Sequence, residues 1–351
     1  MQVEQSRNAA SLWCKQYRTS ADLEGCGVLE RLDITYTLFN NLEMSTPQIF
    51  VSGATGCQGG SVARYLRSKD IAVHALARDP KSDKAKALET IGVKLIPGDY
   101  DDKAALREAM EGCTGLFLVL MPDFTDLTAE RRWATNVLKS GKEAGVKHAI
   151  FSSGFSAGNP NQLAAMEPGS FLDIIMRNKH AIENQTRSAG FEHWTILRPG
   201  AFMANYIEPF VRMYPGLVDK GVFATAMTPN TVLPLTDAVT IGRFGGEAFL
   251  HPTKFHGKEI TYADEWIEVE AILQKLSRAV GRDLKGEYLS DEEIMEQKAT
   301  NPFIAGQLVM RDMAKLATKE EVEVWGIPLS TFDEFLERET QSLHETYHKA
   351  S

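Results

Sequence analysis

A glycine-rich turn joins an apolar strand to an amphipathic helix near residue 50. Its glycines follow a G-x-x-G-x-x-G pattern that ends in a double glycine: Gly53, Gly56, Gly59 and Gly60. Residues 49–51 before the turn are apolar, and Val62 and Leu66 after it fall on one helical face. Glycines let the chain turn tightly and let the backbone approach phosphate groups, while the free N–H groups at the start of the helix attract the anion. We therefore expect this turn to bind the pyrophosphate of a dinucleotide.

The turn itself is expected to supply most of the cofactor contacts. Six of its residues are predicted to bind the cofactor: Gly53, Thr55, Gly56, Cys57, Gln58 and Gly59. The strand before the turn and the helix after it are the context that makes such a glycine motif informative. The spacing differs from the G-x-G-x-x-G of medium-chain dehydrogenases and favours the short-chain dehydrogenase/reductase superfamily.

Strands and helices alternate along the chain from residue 48 onward. The apolar runs that predict strands are 49–51, 72–77, 93–96, 116–121, 148–151 and 194–197. The segments between them have helical periodicity, and they predict helices at 60–68, 82–91, 103–110, 126–144 and 172–189. Such alternation predicts an α/β fold in which a Rossmann doubly wound parallel sheet carries helices on both faces.

The pattern changes after residue 200, where prolines and short strands precede a helix-rich tail. We expect residues 1–43 to be a poorly ordered N-terminal extension, because their apolar residues follow no sustained period. Residues 44–200 are predicted to form the NAD(P)-binding Rossmann domain. Residues 201–351 are predicted to form a smaller, mainly helical substrate lobe, with residues 232–262 partly returning to the Rossmann sheet.

The charge balance bears on the kind of partner. The net charge is −9, with 38 Lys and Arg against 47 Asp and Glu. Binding nucleic acid through a broad surface requires clustered cationic side chains that displace counterions. We therefore expect a small-molecule substrate and no direct contact with nucleic acid.

The cysteines and the apolar runs indicate the cellular compartment in which the protein works. The four cysteines show no metal-ligand spacing and no disulfide framework, so we expect no metal and a reducing compartment. No run reaches the roughly 18 apolar residues that a membrane-spanning helix needs. These features predict a cytoplasmic protein without membrane contact.

The end of the second predicted strand indicates which dinucleotide binds. Arg78 follows the strand, and Lys81 lies three residues later. An arginine there accommodates a 2′-phosphate, whereas an acidic side chain would bind the ribose 2′-hydroxyl. Arg78 therefore favours NADP(H), while the neighbouring Asp79 leaves NAD(H) open. Asp99, at the tip of the third strand, is predicted to accept a hydrogen bond from the adenine amino group.

The helix after the fifth strand is where we expect the chemistry. In short-chain dehydrogenases this helix carries a Tyr-x-x-x-Lys pair, in which the lysine lowers the tyrosine pKa for proton transfer to a carbonyl. Here the lysine is present as Lys179, and Ile175 occupies the tyrosine position. A phenol could act only if Tyr206 or Tyr262 reached the site from the C-terminal lobe. Lys179 can itself act as the acid or base, or it can hold the hydroxyls of the nicotinamide ribose.

Several motifs resemble the NmrA-like family of atypical short-chain dehydrogenase/reductases. They are the glycine turn, Gly98-Asp99-x-Asp-Asp102, Phe151-Ser-Ser-Gly154, Lys179, Arg198-Pro-Gly-x-Phe202-Met-x-Asn205 and Leu233-Pro-Leu-x-Asp237. The resemblance implies a Rossmann fold and a bound pyridine dinucleotide. Related reductases that lack the tyrosine rely on a lysine, so the resemblance also implies that Lys179 is the catalytic residue. The family contains both oxidoreductases and regulators.

Two functions are therefore open. The first, which we favour, is an NADP(H)-dependent oxidoreductase that reduces a small apolar or aromatic carbonyl or enone compound in secondary metabolism. Aromatic residues after position 200 would either enclose that substrate or form core: Phe202, Tyr206, Phe210, Tyr214 and Phe223. The second is a non-catalytic NADP(H)-binding redox sensor that acts through a protein partner, and it would fit a nuclear location. Ile175 in place of the tyrosine supports this second function.

Overall fold

The computed structural model of the protein describes residues 47–298 and 301–348. The predicted N-terminal extension, residues 1–43, lies outside the described residues. The strands are β1 (Gln48–Val51), β2 (Ala72–Ala77), β3 (Val93–Pro97), β4 (Gly115–Val119), β5 (His148–Ser152), β6 (His193–Pro199), β7 (Ala201–Phe202), β8 (Val222–Thr225), β9 (Val232–Thr236), β10 (Lys258–Tyr262), β11 (Glu265–Glu268) and β12 (Lys285–Tyr288).

Helices connect most of these strands. They are α1 (Cys57–Ser68), α2 (Asp83–Thr90), α3 (Lys103–Met110), α4 (Ala129–Glu143), α5 (Phe171–Ser188), α6 (Ala238–Leu250), α7 (Pro252–Phe255), α8 (Val269–Val280), α9 (Asp291–Gln297), α10 (Pro302–Met310), α11 (Lys319–Glu323), α12 (Phe332–Arg338) and α13 (Thr340–Tyr347). The first five helices lie where the sequence predicts them. Short 3₁₀ turns follow β7, at Met203–Tyr206 and Phe210–Met213.

The central sheet has seven strands in the order β10-β6-β5-β4-β1-β2-β3, and all of its pairings are parallel. In register, Ile49 of β1 pairs with Val73 on one side and Gly115 on the other. The chain moves outward from β1 to β3 and then returns to place β4 on the opposite side. Ligands of such sheets bind outside the carboxyl ends of the strands where this reversal occurs. The predicted Rossmann doubly wound sheet is confirmed.

Helices cover both faces of the sheet because its strands are apolar on both sides. In β1, Ile49 and Val51 pack into one buried cluster that includes Val62 of α1, while Phe50 between them packs into a second cluster. Successive side chains of a strand point to opposite faces, which explains this division. The second cluster includes Leu106 of α3.

Helix α6 packs against α1 at very short range. A Cβ on Gly242 would lie 2.7 Å from the carbonyl oxygen of Ser61, and a Cβ on Gly245 would lie 2.9 Å from Val62 Cγ2. Glycine at these positions lets the two helices approach. Helix α6 and strand β10 thus pack with the central sheet although both follow residue 200, whereas β9 pairs with β7 and β11 in a separate three-stranded sheet.

The remainder of the C-terminal part has its own apolar core. Helix α8 contributes Ile272, Leu273 and Leu276, and α12 contributes Phe332 and Phe335. Strands β8 and β12 form a two-stranded parallel pair beside this core. Within the described ranges, no helix is both long enough and apolar enough to cross a membrane.

Candidate coenzyme site

The glycine turn has the geometry of a phosphate-binding loop. Gly53 has a φ of 59°, a left-handed conformation that favours glycine. A Cβ on Gly59 would lie 2.5 Å from the carbonyl oxygen of Gly53 and closer still to that of Ser52, so only glycine lets α1 begin this near to β1. No side chain of the described residues caps the first turn of α1, whereas Ser82 caps α2 and Asp102 caps α3.

The uncapped start of α1 leaves backbone N–H groups for a ligand. The first N–H groups of a helix have no partner within the helix, and they carry the positive end of its dipole. Gly56 is exposed, and Thr55, Cys57 and Gln58 are half-buried, so this end of the helix is accessible. These accessible N–H groups are the ones that the predicted pyrophosphate would need, and its binding stays a prediction.

Two hydrogen-bond networks hold the turn in place. The Ser52 hydroxyl donates to the carbonyl of Val119 at 2.8 Å and accepts from the N–H of the same residue at 2.7 Å, which ties β1 to the end of β4. The Tyr100 phenol oxygen accepts from the Gly53 N–H at 2.7 Å. Burial raises the pKa of Tyr100 above that of a free phenol. Tyr100 carries no signal in the sequence that predicts this contact.

Gln58 and Cys57 have different surroundings in the first turn of α1. The Ser152 hydroxyl, at the end of β5, donates to Gln58 Oε1 at 2.7 Å, so this side chain bridges the glycine turn to the fifth strand. Burial raises the pKa of the Cys57 thiol to about 11, and the negative charge of Asp237 adds to the rise. The thiol is therefore protonated at neutral pH.

The end of β2 presents a cation to the site. Arg78 is exposed, and its guanidinium has no ion-pair partner among residues 47–298 and 301–348. The carboxylate of Asp79 instead accepts a hydrogen bond from the backbone N–H of Lys81 at 3.0 Å. Asp79 thus stabilises the turn that contains it, while the Arg78 side chain is available to bind a ligand.

The loop after β3 is internally braced. Asp99 is exposed, and its Oδ1 accepts from the N–H groups of Asp101 and Asp102 at 2.9 and 3.0 Å. Asp101 in turn accepts from Arg132 and Trp133 of α4. These hydrogen bonds hold the pKa of Asp101 below its usual value. One carboxylate oxygen of Asp99 therefore organises the loop in which the sequence predicts an adenine contact.

Lys179 lies at the carboxyl ends of the central strands. Its Nζ is 2.7 Å from Glu130 Oε1 and 3.5 Å from the carbonyl oxygen of Leu120, directly after β4. Its stem passes Gly154 after β5, where a Cβ would lie 3.2 Å from Lys179 Cδ. The Lys179 side chain is 11% exposed and that of Glu130 is 1% exposed. Glu130, which lies in the first turn of α4, was not predicted as a site residue from the sequence.

The alternative phenols do not reach this site. Tyr262 is fully buried and stacks on Phe244 with ring centroids 4.1 Å apart. Tyr206 is buried against Tyr214 and Phe332. Burial raises the pKa of both Tyr206 and Tyr262 well above that of a free phenol. The condition under which a tyrosine could replace Ile175 is therefore not met.

The aromatic residues after position 200 are mostly core. Tyr206, Tyr214 and Phe223 are buried together, while Phe202 and Phe210 are half-buried. Exposed apolar surface lies instead beside β4: Met121 is 59% exposed and Phe124 is 65% exposed. Phe124 stacks on Phe171, the first residue of the helix that carries Lys179, with ring centroids 5.7 Å apart.

Two motifs that support the family resemblance have structural roles. The buried Arg198 donates to Glu183 of α5 at 2.8 Å and also contacts Glu259 of β10, so it joins a helix to the edge strand. Asp237 caps α6 and accepts two hydrogen bonds from Arg338, each 2.8 Å long. No cluster of three or more potential metal ligands occurs in the part of the chain that the structure describes.

The chain matches a known protein family over most of its length. The model of the NmrA-like family matches residues 45–347. A (4-alkanoyl-5-oxo-2,5-dihydrofuran-3-yl)methyl phosphate reductase from Streptomyces griseus is 30% identical over 242 residues, which cover 69% of this chain and 77% of the relative. The family match spans nearly all of the described residues.

Two solved structures share the fold. The NADPH-dependent quinone oxidoreductase QOR2 of Escherichia coli, in complex with NADPH, has a TM-score of 0.64 at 21% identity and covers 83% of this chain and 99% of its own. NmrA, a negative transcriptional regulator in complex with NADP, has a TM-score of 0.56 at 18% identity, covering 83% and 95%. At these identities the likeness extends to the fold alone. With the family match, the sheet order and the glycine turn in agreement, the chain belongs to the NmrA-like family.

Proposed function

We propose that the protein is an NADP(H)-dependent reductase of a small apolar or aromatic carbonyl or enone compound. The observation that carries this proposal is the position of Lys179. Its ammonium group lies next to the Leu120 carbonyl directly after β4, on the same edge of the sheet as the uncapped glycine turn. This edge is where a doubly wound sheet binds its dinucleotide.

The coenzyme would be held by residues from consecutive strand ends. The free backbone N–H groups at the start of α1 would bind the pyrophosphate. The residues of the turn that would contact the coenzyme are Gly53, Thr55, Gly56, Cys57, Gln58 and Gly59. Asp99 would face the adenine, through the carboxylate oxygen that does not brace its loop. The cationic head of the largely buried Lys179 side chain would meet the nicotinamide ribose.

NADP(H) is favoured over NAD(H) by the surroundings of Arg78. A 2′-phosphate needs a cation that has no competing partner, and Arg78 meets this condition within the described ranges. Asp79, which would repel that phosphate, accepts a hydrogen bond from Lys81 within its own turn. The NADPH complex of QOR2 supports the same choice, whereas NmrA has been solved with both NADP and NAD.

Lys179 would supply the proton for the reaction. When bound, a reduced nicotinamide supplies a hydride to the electrophilic carbon of the substrate. The ammonium group of Lys179 then donates a proton to the oxygen that becomes negative, so each reduction consumes one hydride and one proton. The resulting amine regains a proton from water. Hydrogen bonds from the same group to the ribose hydroxyls would orient the ring.

The apolar surface in the loop after Leu120 supports the proposed substrate class. Met121 and Phe124 lie in the loop directly after Leu120, and Phe124 stacks on Phe171 at the start of α5. The carboxylate of Asp123 accepts from the N–H of Thr125 at 2.8 Å, which braces this loop. An exposed apolar surface in the loop that follows the Lys179–Leu120 contact suits a flat apolar carbonyl compound. The names of the Streptomyces reductase and the Escherichia coli quinone oxidoreductase are consistent with this class.

A redox sensor remains the second candidate because of Ile175. Four residues before Lys179 the chain carries a buried isoleucine, and neither Tyr206 nor Tyr262 can replace the missing phenol. A protein with this site could bind NADP(H) without turning it over and signal through a protein partner. The regulator NmrA, which has the same fold, gives this candidate its support.

Turnover separates the two candidates. Oxidation of NADPH is measured with a panel of quinones, enones and flavonoid-like ketones, for the wild type and for Lys179→Arg and Lys179→Ala. Arginine keeps the charge and donates hydrogen bonds but does not release its proton. We expect both variants to lose turnover. Lys179→Arg should retain the coenzyme affinity, and Lys179→Ala should lose only the small part of it that the ribose contact supplies. Tight NADPH binding without turnover of any compound on the panel would instead favour the sensor.

A further inference from the structure

Glu130 is a buried carboxylate in direct contact with the proposed proton donor. Its Oε1 is 2.7 Å from Lys179 Nζ. Its other carboxylate oxygen, Oε2, is buried and has no hydrogen-bond partner within the described residues. The residue is almost fully excluded from solvent, at 1% exposure. Lys179 thus provides the hydrogen bond that the Glu130 carboxylate accepts. This ion pair links the first turn of α4 to the third turn of α5.

The helix that carries Glu130 is firmly anchored. Arg132 pairs with Asp101 at 3.1 Å and with Asp126 at 3.0 Å, so it connects α4 to the loop after β3. The side chain of Asn136 donates to the carbonyl of Tyr100 at 2.9 Å. These contacts lie within two turns of Glu130. The backbone of α4 around Glu130 is therefore held by contacts with the loop after β3, which contains the predicted adenine contact.

The helix that carries Lys179 is held against the same segment. Asn178, the residue before the lysine, donates to the carbonyl of Leu127 at 2.7 Å. The residues between Leu120 and Leu127 consequently run beside α5, with Phe124 meeting Phe171. Since both helix backbones are fixed, the Glu130 carboxylate defines where the flexible end of Lys179 lies.

A stability role explains this pair poorly. Taking a carboxylate out of water is costly, and apolar residues of similar size usually hold two helices together at least as well as a buried ion pair does. What the Glu130–Lys179 pair does provide is a fixed position for the lysine ammonium group. A lysine has a flexible four-carbon stem and a strongly hydrated ammonium group. Without a buried anion this ammonium group would therefore turn toward solvent.

We infer that Glu130 is the positioning residue of Lys179: its buried carboxylate holds the lysine ammonium beside the end of β4, where the nicotinamide and the substrate oxygen would lie. This inference rests on the proposed reductase function. It assigns Glu130 no contact with the substrate. The expected signature is a large change in the turnover number and in the accessibility of Lys179, with little change in the affinity for NADPH.

The test compares Glu130→Gln with the wild type in two measurements. The first is the extent of acetylation of Lys179 by limiting acetic anhydride, quantified by mass spectrometry on the free protein, with the exposed Lys86 as internal reference. The second is steady-state turnover, separated into kcat and the KM for NADPH. Glu143→Gln is the matched control, because it makes the same change at an exposed ion pair on the same helix.

We expect Glu130→Gln to raise the acetylation of Lys179 several-fold relative to Lys86. The kcat should fall by about 10- to 100-fold with a nearly unchanged KM for NADPH, because misplacing a reacting group by about 1 Å has effects of this size. Glu130→Asp, which retains the charge on a shorter side chain, should recover part of the kcat. Glu143→Gln should match the wild type in both measurements.

Two results would overturn the inference. One is unchanged acetylation of Lys179 in a folded Glu130→Gln protein, and the other is increased acetylation with an unchanged kcat. If Glu130→Gln does not fold, the Glu130→Asp variant decides through the same two measurements. If the wild type shows no turnover, the proposed reductase function fails, while acetylation of the free protein still shows whether Glu130 holds Lys179.

Discussion

The phenol oxygen of Tyr100 accepts a hydrogen bond from the Gly53 N–H at 2.7 Å, and this contact ties the loop after β3 to the glycine turn. Tyr100→Phe removes the acceptor and keeps the ring. A hydrogen bond of this kind contributes about 0.5–1.5 kcal/mol, so we expect the Kd for NADPH to rise about three- to tenfold. Calorimetry checks this against Tyr288→Phe, which removes a hydroxyl bonded to Glu270 in the C-terminal part. An unchanged Kd would show that the contact does not shape the turn for the coenzyme.

Arg78 should decide the choice between the two coenzymes. Its guanidinium is exposed and, in the part of the chain that the structure describes, has no ion-pair partner. A charge-assisted hydrogen bond contributes about 1.5–3 kcal/mol, so Arg78→Ala should weaken NADPH binding by roughly 10- to 100-fold. NADH binding should stay the same. The exposed Arg107 at the end of α3 is the control. Equal losses for both coenzymes would contradict recognition of the 2′-phosphate.

Gly59 should tolerate no side chain. Its Cβ would lie 2.5 Å from the carbonyl oxygen of Gly53, and that backbone has no room to move because Ser52 holds it to Val119. We expect Gly59→Ala to abolish NADPH binding and to lower the free energy of unfolding by about 1–3 kcal/mol. Gly306 lies inside α10, where an added Cβ would meet no described residue within 4 Å beyond its chain neighbours and the backbone of its own helix. Gly306→Ala should therefore bind NADPH normally and raise the free energy of unfolding by up to about 1 kcal/mol. Normal binding by Gly59→Ala would rule out close approach of the coenzyme.

His148 should make stability depend on pH. Burial lowers its pKa from 6.5 to about 3, with smaller contributions from His193 and His256. The unfolded chain therefore binds one more proton between about pH 6.5 and pH 3. Stability from neutral His148 is present above that range and is lost as the pH falls through it, by at most about 1.4 kcal/mol per pH unit.

Urea unfolding at pH 7.0 and pH 5.0 checks this prediction. His148→Phe preserves an aromatic ring beside Phe249 and removes the titrating group. Its free energy of unfolding should fall less between the two pH values than that of the wild type. His344→Phe, at an exposed position of α13, should behave as the wild type does. If His148→Phe retains the full pH dependence, other groups account for it.

The sequence predicted the features that local pattern determines. The glycine turn, the six strands up to residue 197 and the helices between them were predicted because apolar periodicity and turn residues act over a few neighbours. The parallel pairing of the strands, though not their order in the sheet, followed from the alternation of strands and helices.

The parts that the sequence missed depend on long-range contacts. Glu130 meets Lys179 across 49 residues, and Tyr100 meets Gly53 across 47 residues. In the sequence, the neighbours of Glu130 look like those of an exposed charged residue. The neighbours of Tyr100 look like those of an aromatic residue in the core. For the same reason the sequence could not divide the aromatic residues after position 200 between core and pocket. In the structure, Tyr206, Tyr214 and Phe223 belong to the core. Phe124 is exposed, and the sequence did not predict it as a substrate-binding residue.

The titration of NADPH into the full-length protein, followed by calorimetry, tests the central claim most directly. A coenzyme held by the N–H groups of α1 and by Arg78 should bind with one site per chain, a Kd in the micromolar range and a preference over NADH. A folded protein that releases no heat of binding with either coenzyme would contradict the account.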